Sequence, residues 1–440
     1  MELSSDQTKA LDAFRQHKNI FITGPGGSGK SVLIRRLVEE AETDGRVVQV
    51  CALTGCAAVL LQCKGAKTIH SWAGIGIGNG DQHTIVDRVN KNKHKRKAWT
   101  SVDVLIIDEI SMMSMKLFNV LDRIGRKTRK CLDIPFGGIQ VVFSGDFYQL
   151  PPVGNEEEPE TSAFCFESEN WKSTFEETIQ LTTMFRQTDP VYAKVLNQIR
   201  IGTISKKGMR ILNERVGAIC DDELIKPTIL LPRRRDADVI NKRELDKLTT
   251  EERRFALVPH WEPTTGNTTS NSSSKAVSDE QRANEIKYLS TNITAEEELI
   301  LKVGTQVMCV ANVDMEGPTP LVNGSQGVVV GFENMMPIVQ FRGGVIRKVG
   351  PHLWESENVK GVGVKQIPLI HAWAITIHKS QGVTLELAQI DVGSSIFECG
   401  QTYVALSRVK SVNGLFLTAF DIQKIKINRR VKNFYASLES

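Results

Sequence analysis

The chain has 440 residues, enough for about two to four domains that each bury a core of their own. Its hydrophobic and charged fractions, 41% and 24%, are typical of a globular protein, and the absence of an 18-residue apolar run predicts no membrane span. The net charge is only +4, so a nucleic-acid partner would have to be held in a local basic groove rather than by the overall electrostatic field of the protein.

The N-terminal segment and the cysteines both predict an intracellular protein. The segment that begins at Met1 is neither basic nor hydrophobic, so we expect no secretory signal and no transit peptide. The eight cysteines include no C-x-x-C pair, and Cys51, Cys56 and Cys63 lack the spacing of zinc ligands. We expect reduced, mostly buried thiols. The choice between nucleus and cytoplasm is left open.

The first predicted helix covers residues 4–16, with Ser4 or Ser5 as its cap. A short apolar strand at residues 20–22 then leads into a glycine-rich loop of the form G-x-x-x-x-G-K-S. The loop reads Gly24-Pro25-Gly26-Gly27-Ser28-Gly29-Lys30-Ser31.

This loop predicts a nucleoside triphosphate site. Its four glycines allow several backbone N–H groups to point at one anion, and the helix that follows aims its positive end at the same place. The Lys30 amine would neutralise the outer phosphates, and the Ser31 hydroxyl would bind Mg²⁺. The use of the triphosphate is left open at this point, because kinases, switches and motors share the motif.

Three further apolar runs, at residues 47–53, 104–109 and 139–146, predict buried strands of a parallel, doubly wound sheet. Polar residues end each run, at the edge where such sheets bind ligands. Asp108 would bind Mg²⁺, and Glu109 would orient and deprotonate the attacking water. Gln149 follows the next strand and would sense the γ-phosphate, although a proline-ended turn explains the same residues equally well.

A second α/β series begins near Thr183. Strands are predicted at residues 228–231, 369–376, 387–392 and 415–418, with a helix at 236–248. Between them, residues 262–278 are rich in Thr, Asn and Ser and predict a mobile loop. Short β runs separated by turn residues over 299–365 predict a small inserted β-barrel. The predicted fold class is therefore α/β, with two parallel sheets and a β-barrel inserted in the second series.

Two arginines in the second series are candidates to stabilise the departing phosphate. If Arg186 and Arg408 face the first sheet across a cleft, ATP would be held between two lobes, and such arginines raise turnover by roughly a thousand- to a hundred-thousand-fold. Either arginine taken alone is better explained as a surface ion pair. Only the surrounding motif makes it a candidate.

Several further segments follow one another in order along the chain: Leu53-Thr54-Gly55-Cys56-Ala57-Ala58, Thr68-Ile69-His70-Ser71-Trp72-Ala73-Gly74, Asp108-Glu109-Ile110-Ser111-Met112, Pro135-Phe136-Gly137-Gly138-Ile139-Gln140, residues 145–153, His378-Lys379-Ser380-Gln381-Gly382 and residues 403–409. They resemble the motifs of the petite-integration-frequency (Pif-one-like) helicases of superfamily 1B, and the matches run in order between residues 3 and 415. The stretch between Glu109 and Phe143, with its segment Ile134-Pro135-Phe136-Gly137-Gly138, is similar to the signature of that family.

The resemblance implies two RecA-like phosphate-loop domains with an SH3-like β-barrel in the second. Residues 1–182 would form domain 1A, residues 183–249 and 366–440 domain 2A, and residues 250–365 accessory domain 2B. It also implies an ATP- and Mg²⁺-dependent motor that moves 5′ to 3′ on single-stranded DNA. Such a motor would open duplexes, junctions and forks, G-quadruplexes or RNA–DNA hybrids in replication, recombination or repair. It would act as a monomer or a DNA-induced dimer, away from membranes.

The resemblance also implies roles for individual residues. Gln7 would read the adenine edge, and Gln381 and Gly382 would couple the nucleotide to the DNA track. The ATPase site would contain Lys30, Ser31, Asp108, Glu109, Gln149, Arg186 and Arg408. The DNA strand would be touched by Thr54, His70, Ser71, Thr376, His378 and Lys379. Two positions depart from the family pattern: Leu53 stands where proline is usual, and Gln326 where a basic residue is common.

Aromatic and basic residues add further candidates for DNA contact. Phe147, Tyr148 and Trp72 lie beside the strand-end loops, where stacking is worth about 1–3 kcal/mol per base; core packing explains Trp72 equally well. The basic run at residues 91–97, Lys-Asn-Lys-His-Lys-Arg-Lys, would meet DNA or serve as a nuclear address. A solvated helix face is the favoured interpretation of this run.

Three other classes of protein share part of the pattern. A small-molecule kinase would lack a second lobe with arginines and the loop at residues 379–382. A non-catalytic nucleic-acid-binding module would not need Glu109 beside the Mg²⁺ ligand. A RecD-like or transposon-type motor stays open, because the direction of movement rests on the resemblance and not on composition or spacing.

Overall fold

The computed structural model describes residues 3–76, 78, 80–155, 157–187, 189–222, 224–262, 279–313, 321–356, 359 and 361–438. From residue 263 onward, the loop predicted at 262–278 lies outside the described residues. Within the described residues the α-helices are α1 (Ser5–Arg15), α2 (Lys30–Thr43), α3 (Gly55–Leu60), α4 (Ile69–Ala73), α5 (Gln82–Lys91), α6 (Lys93–Ser101), α7 (Met115–Arg129), α8 (Trp171–Thr174), α9 (Pro190–Arg200), α10 (Lys206–Asn213), α11 (Arg234–Asp246), α12 (Asp279–Asn292), α13 (Gln401–Leu406) and α14 (Arg429–Ala436).

The strands found in the same residues are β1 (Ile20–Thr23), β2 (Val48–Ala52), β3 (Lys67–Thr68), β4 (Val104–Asp108), β5 (Gln140–Gly145), β6 (Glu177–Gln180), β7 (Thr228–Leu231), β8 (Glu252–Ala256), β9 (Val258–Trp261), β10 (Glu298–Lys302), β11 (Gln306–Cys309), β12 (Gln326–Glu333), β13 (Met336–Phe341), β14 (Ile346–Lys348), β15 (His352–Glu355), β16 (Val362–Gln366), β17 (Leu369–His371), β18 (Ala374–Thr376), β19 (Ala388–Val392) and β20 (Leu415–Phe420). Short 3₁₀ helices occur at Ile110–Met112, Pro135–Gly138, Pro159–Thr161, Cys165–Glu167, Val412–Gly414 and Ile422–Lys424.

The chain forms two compact units. The first contains Met1–Val216, Asp391–Val412 and Thr418–Ser440, and the second contains Gly217–Ile390 and Asn413–Leu417. The first unit therefore holds the glycine-rich loop and both candidate arginines. The domain boundaries expected from the family resemblance stay a prediction.

The first unit is built on a six-stranded sheet in the order β3-β2-β4-β5-β1-β6, and the paired strands run parallel. Both faces of this sheet are covered. Along β1, Ile20 and Ile22 belong to one hydrophobic core and Phe21 to the other, because successive side chains of a strand point to opposite faces. The near-continuous apolar runs in the sequence follow from this two-sided burial.

The segment similar to the family signature packs against α7. The Asp122 carboxylate accepts a hydrogen bond from the Phe136 N–H at 2.7 Å and is paired with Arg126 at 2.8 Å. The Phe136 ring then meets Phe118 and Phe143, with centroids 5.7 and 5.9 Å away. A Cβ on Gly125 would lie 2.5 Å from the Phe136 carbonyl oxygen, so this contact requires glycine. The segment therefore closes one end of the aromatic core.

The second unit combines a parallel and an antiparallel sheet. The parallel sheet has the order β18-β7-β19-β20, with β7 parallel to β18 and β19. The five-stranded sheet has the order β14-β13-β12-β11-β17, and its pairs are antiparallel. Smaller sheets, β15-β16-β9 and β10-β8, accompany it. The predicted fold class, two parallel sheets with a β insertion in the second, is confirmed.

One predicted strand, residues 369–376, is two strands in the structure. β17 pairs with β11 in the antiparallel sheet, whereas β18 pairs with β7 in the parallel sheet. Between them, the Ala372 carbonyl accepts hydrogen bonds from the Thr228 hydroxyl at 2.8 Å and from the Gln306 amide at 2.9 Å. Apolar periodicity cannot show such a change of partner, because both strands are buried.

Gln326, one of the two departures from the family pattern, is buried between the two sheets of the second unit, with 1% of its surface exposed. Its amide donates to the Thr228 hydroxyl at 2.7 Å and to the Leu387 carbonyl at 2.9 Å. Its oxygen accepts from the Leu387 N–H at 3.1 Å. A lysine or arginine would lack this acceptor, so glutamine here ties β12 to β7 and to the start of β19.

Within the described residues, no helix combines the length and the apolar character needed to cross a lipid bilayer. The cysteines whose side chains are described, Cys51, Cys63, Cys131, Cys165, Cys220, Cys309 and Cys399, are free thiols.

Candidate active site

The glycine-rich loop connects β1 to α2 at the carboxyl edge of the parallel sheet. Gly29 takes a left-handed conformation, with φ 83°, directly before α2 begins at Lys30. The Lys30 ammonium donates to the carbonyl oxygens of Gly24 at 2.8 Å and Pro25 at 3.1 Å. The buried Ser28 hydroxyl has no hydrogen-bond partner among the described residues. The loop thus presents donors that a phosphate can engage.

A strap formed by residues 185–187 lies across the loop. The Phe185 N–H donates to the Gly27 carbonyl at 2.8 Å. A Cβ on Gly27 would stand 2.4 Å from the Arg186 Cβ, and the Gly27 φ is 89°, so only glycine allows the strap to come this close. The loop sequence therefore brings Arg186 to the phosphate site.

The two candidate arginines meet at Gly26. The place where a Cβ on Gly26 would stand is 3.6 Å from Arg186 Nη1 and 3.4 Å from Arg408 Nη2. The nucleotide-loop and arginine predictions therefore converge on one point of the first unit. The buried Nη1 of Arg186 has no hydrogen-bond partner among the described residues.

Arg408 follows α13 and is 2% exposed. Its Nε donates to the Val404 carbonyl at 2.9 Å, and its Nη2 donates to the Ser407 hydroxyl at 2.8 Å. Burial and the neighbouring charge of Arg186 lower the pKa of Arg408 to about 9, against the opposing effect of Glu109. The group stays protonated at neutral pH, so the site holds two cations that a phosphate can neutralise.

Asp108 and Glu109 stand at the end of β4. Glu109 has φ 56° and ψ 40°, and this left-handed turn separates the directions of the two carboxylates. Burial raises the pKa of Asp108, and the Ser144 hydroxyl and the Lys30 charge lower it to a smaller extent. Burial and the Asp108 charge raise the pKa of Glu109, and the positive charges of Lys30, Arg408 and Arg186 lower it to a smaller extent. One buried oxygen of each acid, Asp108 Oδ1 and Glu109 Oε2, has no partner among the described residues.

Lys30 belongs to the same electrostatic cluster. Burial lowers the pKa of its ammonium, while the carboxylates of Asp146, Glu109 and Asp108 act in the opposite direction. The cluster therefore contains a lysine, two acids and two arginines around one loop, as a site for a metal-bound triphosphate requires.

Gln149 lies in the turn after β5 and is 4% exposed. Its N–H donates to the Asp146 carbonyl at 2.9 Å. A Cβ on Gly400 would stand 2.4 Å from the Gln149 carbonyl oxygen, so the segment before α13 packs closely against this turn. The backbone of Gln149 is thereby fixed from two sides.

Gln7, expected to read the adenine edge, lies in the first turn of α1. Ser4 caps this helix: its hydroxyl accepts from the Gln7 N–H at 3.3 Å, and the Gln7 Oε1 accepts from the Ser4 N–H at 2.9 Å. The Gln7 Nε2 donates to the Gly29 carbonyl at 3.3 Å. Gln7 is thus beside the phosphate loop, and Phe185, which is half exposed, lies against the same glycine.

A second charge cluster, which the sequence did not predict, lies in the same unit. Arg200 of α9 binds the Asp146 carboxylate with Nε to Oδ2 at 2.9 Å and Nη2 to Oδ1 at 2.8 Å. The guanidinium also covers the rings of Tyr148 and Tyr435, at 4.7 and 5.4 Å. Burial opposes the charge of Arg200, but Asp146 outweighs it and raises the pKa of Arg200.

Tyr403, also absent from the predicted site, touches the phosphate loop directly. Its buried hydroxyl accepts a hydrogen bond from the Gly26 N–H at 2.8 Å. The signal was present in the sequence, because Tyr403 opens the motif at residues 403–409 that contains Arg408. Arg200 and Tyr435 lie outside every motif, so no local signal pointed to them.

The DNA candidates of the first unit fall into two groups. Thr54 is exposed after β2, and the half-buried His70 and Ser71 lie in α4, which follows β3. β2 and β3 are parallel neighbours, so these polar residues share the carboxyl edge of the sheet. Phe147 and Tyr148 are buried instead, with 1% and 8% exposed.

The buried aromatic candidates pack within the first unit. Phe147 packs against Phe21 and Phe166, at 5.4 and 4.8 Å between ring centroids. Tyr148 stacks on Tyr435 at 4.7 Å. Trp72 is buried and packs against Trp99 at 4.6 Å, so its ring fills the core, as one of the two interpretations expected. None of these rings presents an open face on which a base could stack in this conformation.

The remaining candidates belong to the second unit. The buried Thr376 ends β18, and its hydroxyl accepts from the Lys379 N–H at 3.1 Å. His378 is exposed, and its carbonyl accepts from the Gln381 N–H at 3.1 Å. The Gln381 Nε2 is buried without a partner among the described residues, and Gly382 has φ 76°. These residues form one tight loop after a strand end.

Comparison with known proteins gives the family. The family model for PIF1-like helicase matches residues 2–210, and the model for the DNA helicase Pif1 2B domain matches residues 286–332. The ATP-dependent DNA helicase RRM3 of Saccharomyces cerevisiae is 32% identical over 522 residues, which cover all of this chain and 68% of the relative. The chain belongs to the PIF1-like helicase family.

Other members are equally similar along the whole chain. The ATP-dependent DNA helicase PIF1 of Xenopus laevis is 34% identical over all of this chain and 65% of its own length, and the human PIF1 is 35% identical over 99% and 64%. The chain thus spans about two thirds of the length of these PIF1-like relatives.

Solved structures of Pif1 helicases share the fold. The Pif1 helicase from Candida albicans has a TM-score of 0.75 and 34% identity, with both chains fully covered. A Bacteroides Pif1 in complex with ADP-AlF3 and single-stranded DNA has a TM-score of 0.67 and 29% identity, covering 100% and 98%. A structure of two coordinating Pif1 helicases unwinding forked duplex DNA has a TM-score of 0.66 and 31% identity, covering 100% and 98%.

Proposed function

We propose that this chain is the motor core of an ATP-dependent DNA helicase that moves 5′ to 3′ on single-stranded DNA. The observation that carries the proposal is the convergence at one glycine-rich loop of Lys30, Glu109, the half-buried Arg186 and the buried Arg408. A binding module would not need a base and two cations around a phosphate site. Membership of the PIF1-like family supports DNA as the track, and the direction of movement rests on the family.

The proposed ATPase chemistry divides the work among these side chains. Glu109, whose Oε2 has no partner among the described residues, would take the proton of the attacking water. Lys30 would hold the outer phosphates, and Arg186 and Arg408 would neutralise the charge that develops on the γ-phosphate. Gln149 would report the state of that phosphate to the turn after β5.

The residues also fit a magnesium ion. The buried Asp108 Oδ1 has no partner among the described residues, and Ser31 follows Lys30 at the start of α2. One carboxylate and one hydroxyl, completed by phosphate oxygens and water, are the donors that Mg²⁺ favours in such sites. Ser31 and Asp108 would hold the ion, which would neutralise charge on the phosphates.

The proposed DNA partner has a general part, single-stranded DNA and junctions, and a finer part, particular DNA structures and pathways. Single-stranded DNA would be contacted by polar residues at strand ends, namely the exposed or half-buried Thr54, His70, Ser71, His378 and Lys379 and the buried Thr376. A bound single strand and a fork opened by two copies are features of related structures, and they support action at junctions as a monomer or a DNA-induced dimer. Activity on G-quadruplexes or RNA–DNA hybrids, and a role in replication, recombination or repair, are the finer part of the proposal.

Unwinding of partial duplexes with either a 5′ or a 3′ single-stranded tail tests activity and direction together. We expect ATP- and Mg²⁺-dependent strand release from the 5′-tailed substrate, and little release from the 3′-tailed or blunt one. The matched control is Lys30→Ala, which should bind single-stranded DNA but neither hydrolyse ATP nor separate strands.

Three results would overturn the proposal. Hydrolysis by Lys30→Ala at the wild-type rate would place the ATPase site elsewhere. Preferential opening of the 3′-tailed substrate would reverse the proposed direction of movement. ATP hydrolysis without any strand release would leave an ATPase that is not a helicase.

A further inference from the structure

The helix α6 carries a dense group of exposed positive charges. Residues 82–101, which span α5 and α6, contain six Lys or Arg residues and one Asp, an excess of five positive charges against +4 for the whole chain. Lys93, Arg96 and Lys97 are exposed and, at spacings of three and four residues, share one face of the helix. We call these three residues the α6 basic face.

The α6 basic face has no counter-charge among the described residues. Within the part of the chain that the structure describes, none of its three side chains takes part in an ion pair or a side-chain hydrogen bond. Asp87, the acid of α5, is paired with Lys127 of α7 instead. Exposed Arg36 of α2 pairs with Glu39 of the same helix, and exposed Arg210 of α10 pairs with Glu214, the residue that follows the helix. The charges of the α6 basic face are instead left for solvent or for a partner.

The placement of these charges also works against the helix. Like charges three or four residues apart destabilise a helix by a few tenths of a kcal/mol per pair. Lys93 is the first residue of α6, and α6 has no acidic residue in its first turn, so the charges begin at the end where the helix dipole is positive and cations are disfavoured. An anion bound to this face would relieve both effects.

The opposite side of α6 fixes the basic face to the strand-end region. The Lys95 ammonium donates to the Ser71 carbonyl of α4 at 2.6 Å. The buried Trp99 packs on Trp72 at 4.6 Å, and its indole N–H donates to the Ala73 carbonyl at 3.3 Å. The α6 basic face is therefore held rigidly beside α4, the helix that carries His70 and Ser71.

We propose that the α6 basic face binds the phosphate backbone of duplex DNA, the double-stranded part of the substrate. This inference rests on the proposed function and adds a duplex contact to its single-strand contacts. Single-strand sites combine positive charge with aromatic rings on which unpaired bases stack. α5 and α6 expose no Phe, Tyr or Trp, since Trp99 is buried. A surface of charge alone suits a partner whose bases are already stacked and whose phosphates face outward.

The fold disfavours the alternative partner, a receptor for nuclear import signals. A receptor of that kind would have to read the basic run as a linear signal. Here Lys93–Ser101 is helical, Lys95 is bonded to Ser71, and Trp99 is part of the core. Presenting the run as an extended peptide would therefore require local unfolding of the first unit.

The test compares a triple variant with a charge-matched control in the full chain. The test variant is Lys93→Gln, Arg96→Gln and Lys97→Gln. The control is Lys206→Gln, Lys207→Gln and Arg210→Gln, which removes three exposed positive charges from α10 in the same unit. The probes are a blunt duplex DNA and an oligothymidine strand, and binding is measured by fluorescence anisotropy over a range of salt concentrations.

We expect the test variant alone to bind the blunt duplex about tenfold more weakly, with a salt slope of log K less steep by about 2 to 3, because each phosphate contact contributes roughly 0.9. Binding of oligothymidine, and the ATP hydrolysis that it stimulates, should stay within about twofold of wild type, and the melting temperature should not fall. Unwinding of a tailed duplex should weaken.

Three outcomes would overturn the proposal. Wild-type duplex binding by the test variant would show a solvated helix face, and an equal loss in the control would show an effect of net charge. A loss of nuclear accumulation with duplex binding unchanged would assign the run to an import receptor. Failure of the wild-type chain to unwind any tailed duplex would instead refute the proposed function, so the two failures are distinguishable.

Discussion

Two buried charge clusters lie in the first unit, and they differ in how completely their atoms are paired. In the Asp146–Arg200 cluster, both carboxylate oxygens meet a guanidinium nitrogen, and two tyrosine rings enclose the pair. In the cluster around Gly26, Arg186 Nη1, Glu109 Oε2 and Asp108 Oδ1 have no hydrogen-bond partner among the described residues.

The difference separates structural from functional charge. Buried polar atoms are normally hydrogen-bonded, and leaving one unpaired costs about 1–3 kcal/mol. A fully paired cluster needs nothing more and holds its elements together, whereas an incompletely paired cluster is completed by a ligand. Variants in the two clusters should therefore fail in different ways. Variants in the cluster around Gly26 should lose catalysis with the fold intact, and variants in the Asp146–Arg200 cluster should lose stability.

The largest effect is expected for Arg408→Ala. Loss of a guanidinium that stabilises the transferred phosphate lowers turnover by about a thousand- to a hundred-thousand-fold. The fold should stay intact, because loss of the hydrogen bonds to the Val404 carbonyl and the Ser407 hydroxyl is offset by removal of a cation that burial and Arg186 disfavour. DNA-stimulated phosphate release and thermal melting measure the two effects.

The control for Arg408→Ala is Arg408→Lys, which keeps the charge but not the planar fork and should recover only part of the rate. Turnover within about tenfold of wild type for the alanine variant would remove Arg408 from the phosphate site.

Glu109→Gln should lower turnover by about a hundred- to ten-thousand-fold, as loss of a general base does, while ATP and DNA still bind. Burial and the Asp108 charge raise the pKa of Glu109, and only its deprotonated form accepts a proton. The rate of the wild-type chain should therefore fall as the pH drops through a value above the ordinary glutamate pKa. That acidic limb should be missing from the residual rate of the variant. A retained limb would assign it to another group.

The sequence named Lys30, the two acids and the two arginines of the cluster around Gly26 as candidates, whereas it gave no signal for the Asp146–Arg200 cluster, for a physical reason. The glycine-rich loop and the acids after β4 are local patterns, since a phosphate loop and a strand end each need adjacent residues. Arg200 and Asp146 are 54 residues apart, and Tyr435 is 289 residues from Asp146. No periodicity links such positions. For the same reason, aromatic residues after a strand end looked like a stacking surface, whereas Phe147 and Tyr148 pack against residues that are distant in the chain.

Arg200→Met should leave the Asp146 carboxylate buried without its partner and lower the free energy of unfolding by about 3–5 kcal/mol. Denaturant unfolding of the first unit measures this loss. The paired control is Arg200→Met combined with Asp146→Asn, which removes the uncompensated charge and should recover part of the stability, as a double-mutant cycle would show. Equal stability of Arg200→Met and wild type would mean that the cluster does not hold the fold.

Tyr403→Phe should give the smallest effect, and it tests where the two clusters meet. The Tyr403 hydroxyl accepts the Gly26 N–H at 2.8 Å, while the charges of Asp146 and Arg200 also act on it. A phosphate that engages the loop amides competes with this hydroxyl for the Gly26 N–H. Removing the hydroxyl gives up a hydrogen bond worth about 0.5–1.5 kcal/mol, so stability measured without nucleotide should fall by that amount.

The same substitution should make ATP bind about two- to tenfold more tightly, because the nucleotide no longer has to displace the hydroxyl. Titration with a fluorescent ATP analogue and melting with and without nucleotide measure the two changes in one variant. Tighter binding together with lower stability would define Tyr403 as a competitor of the phosphate. Weaker binding would instead make the hydroxyl a phosphate ligand, and Tyr403 would then belong to the cluster around Gly26.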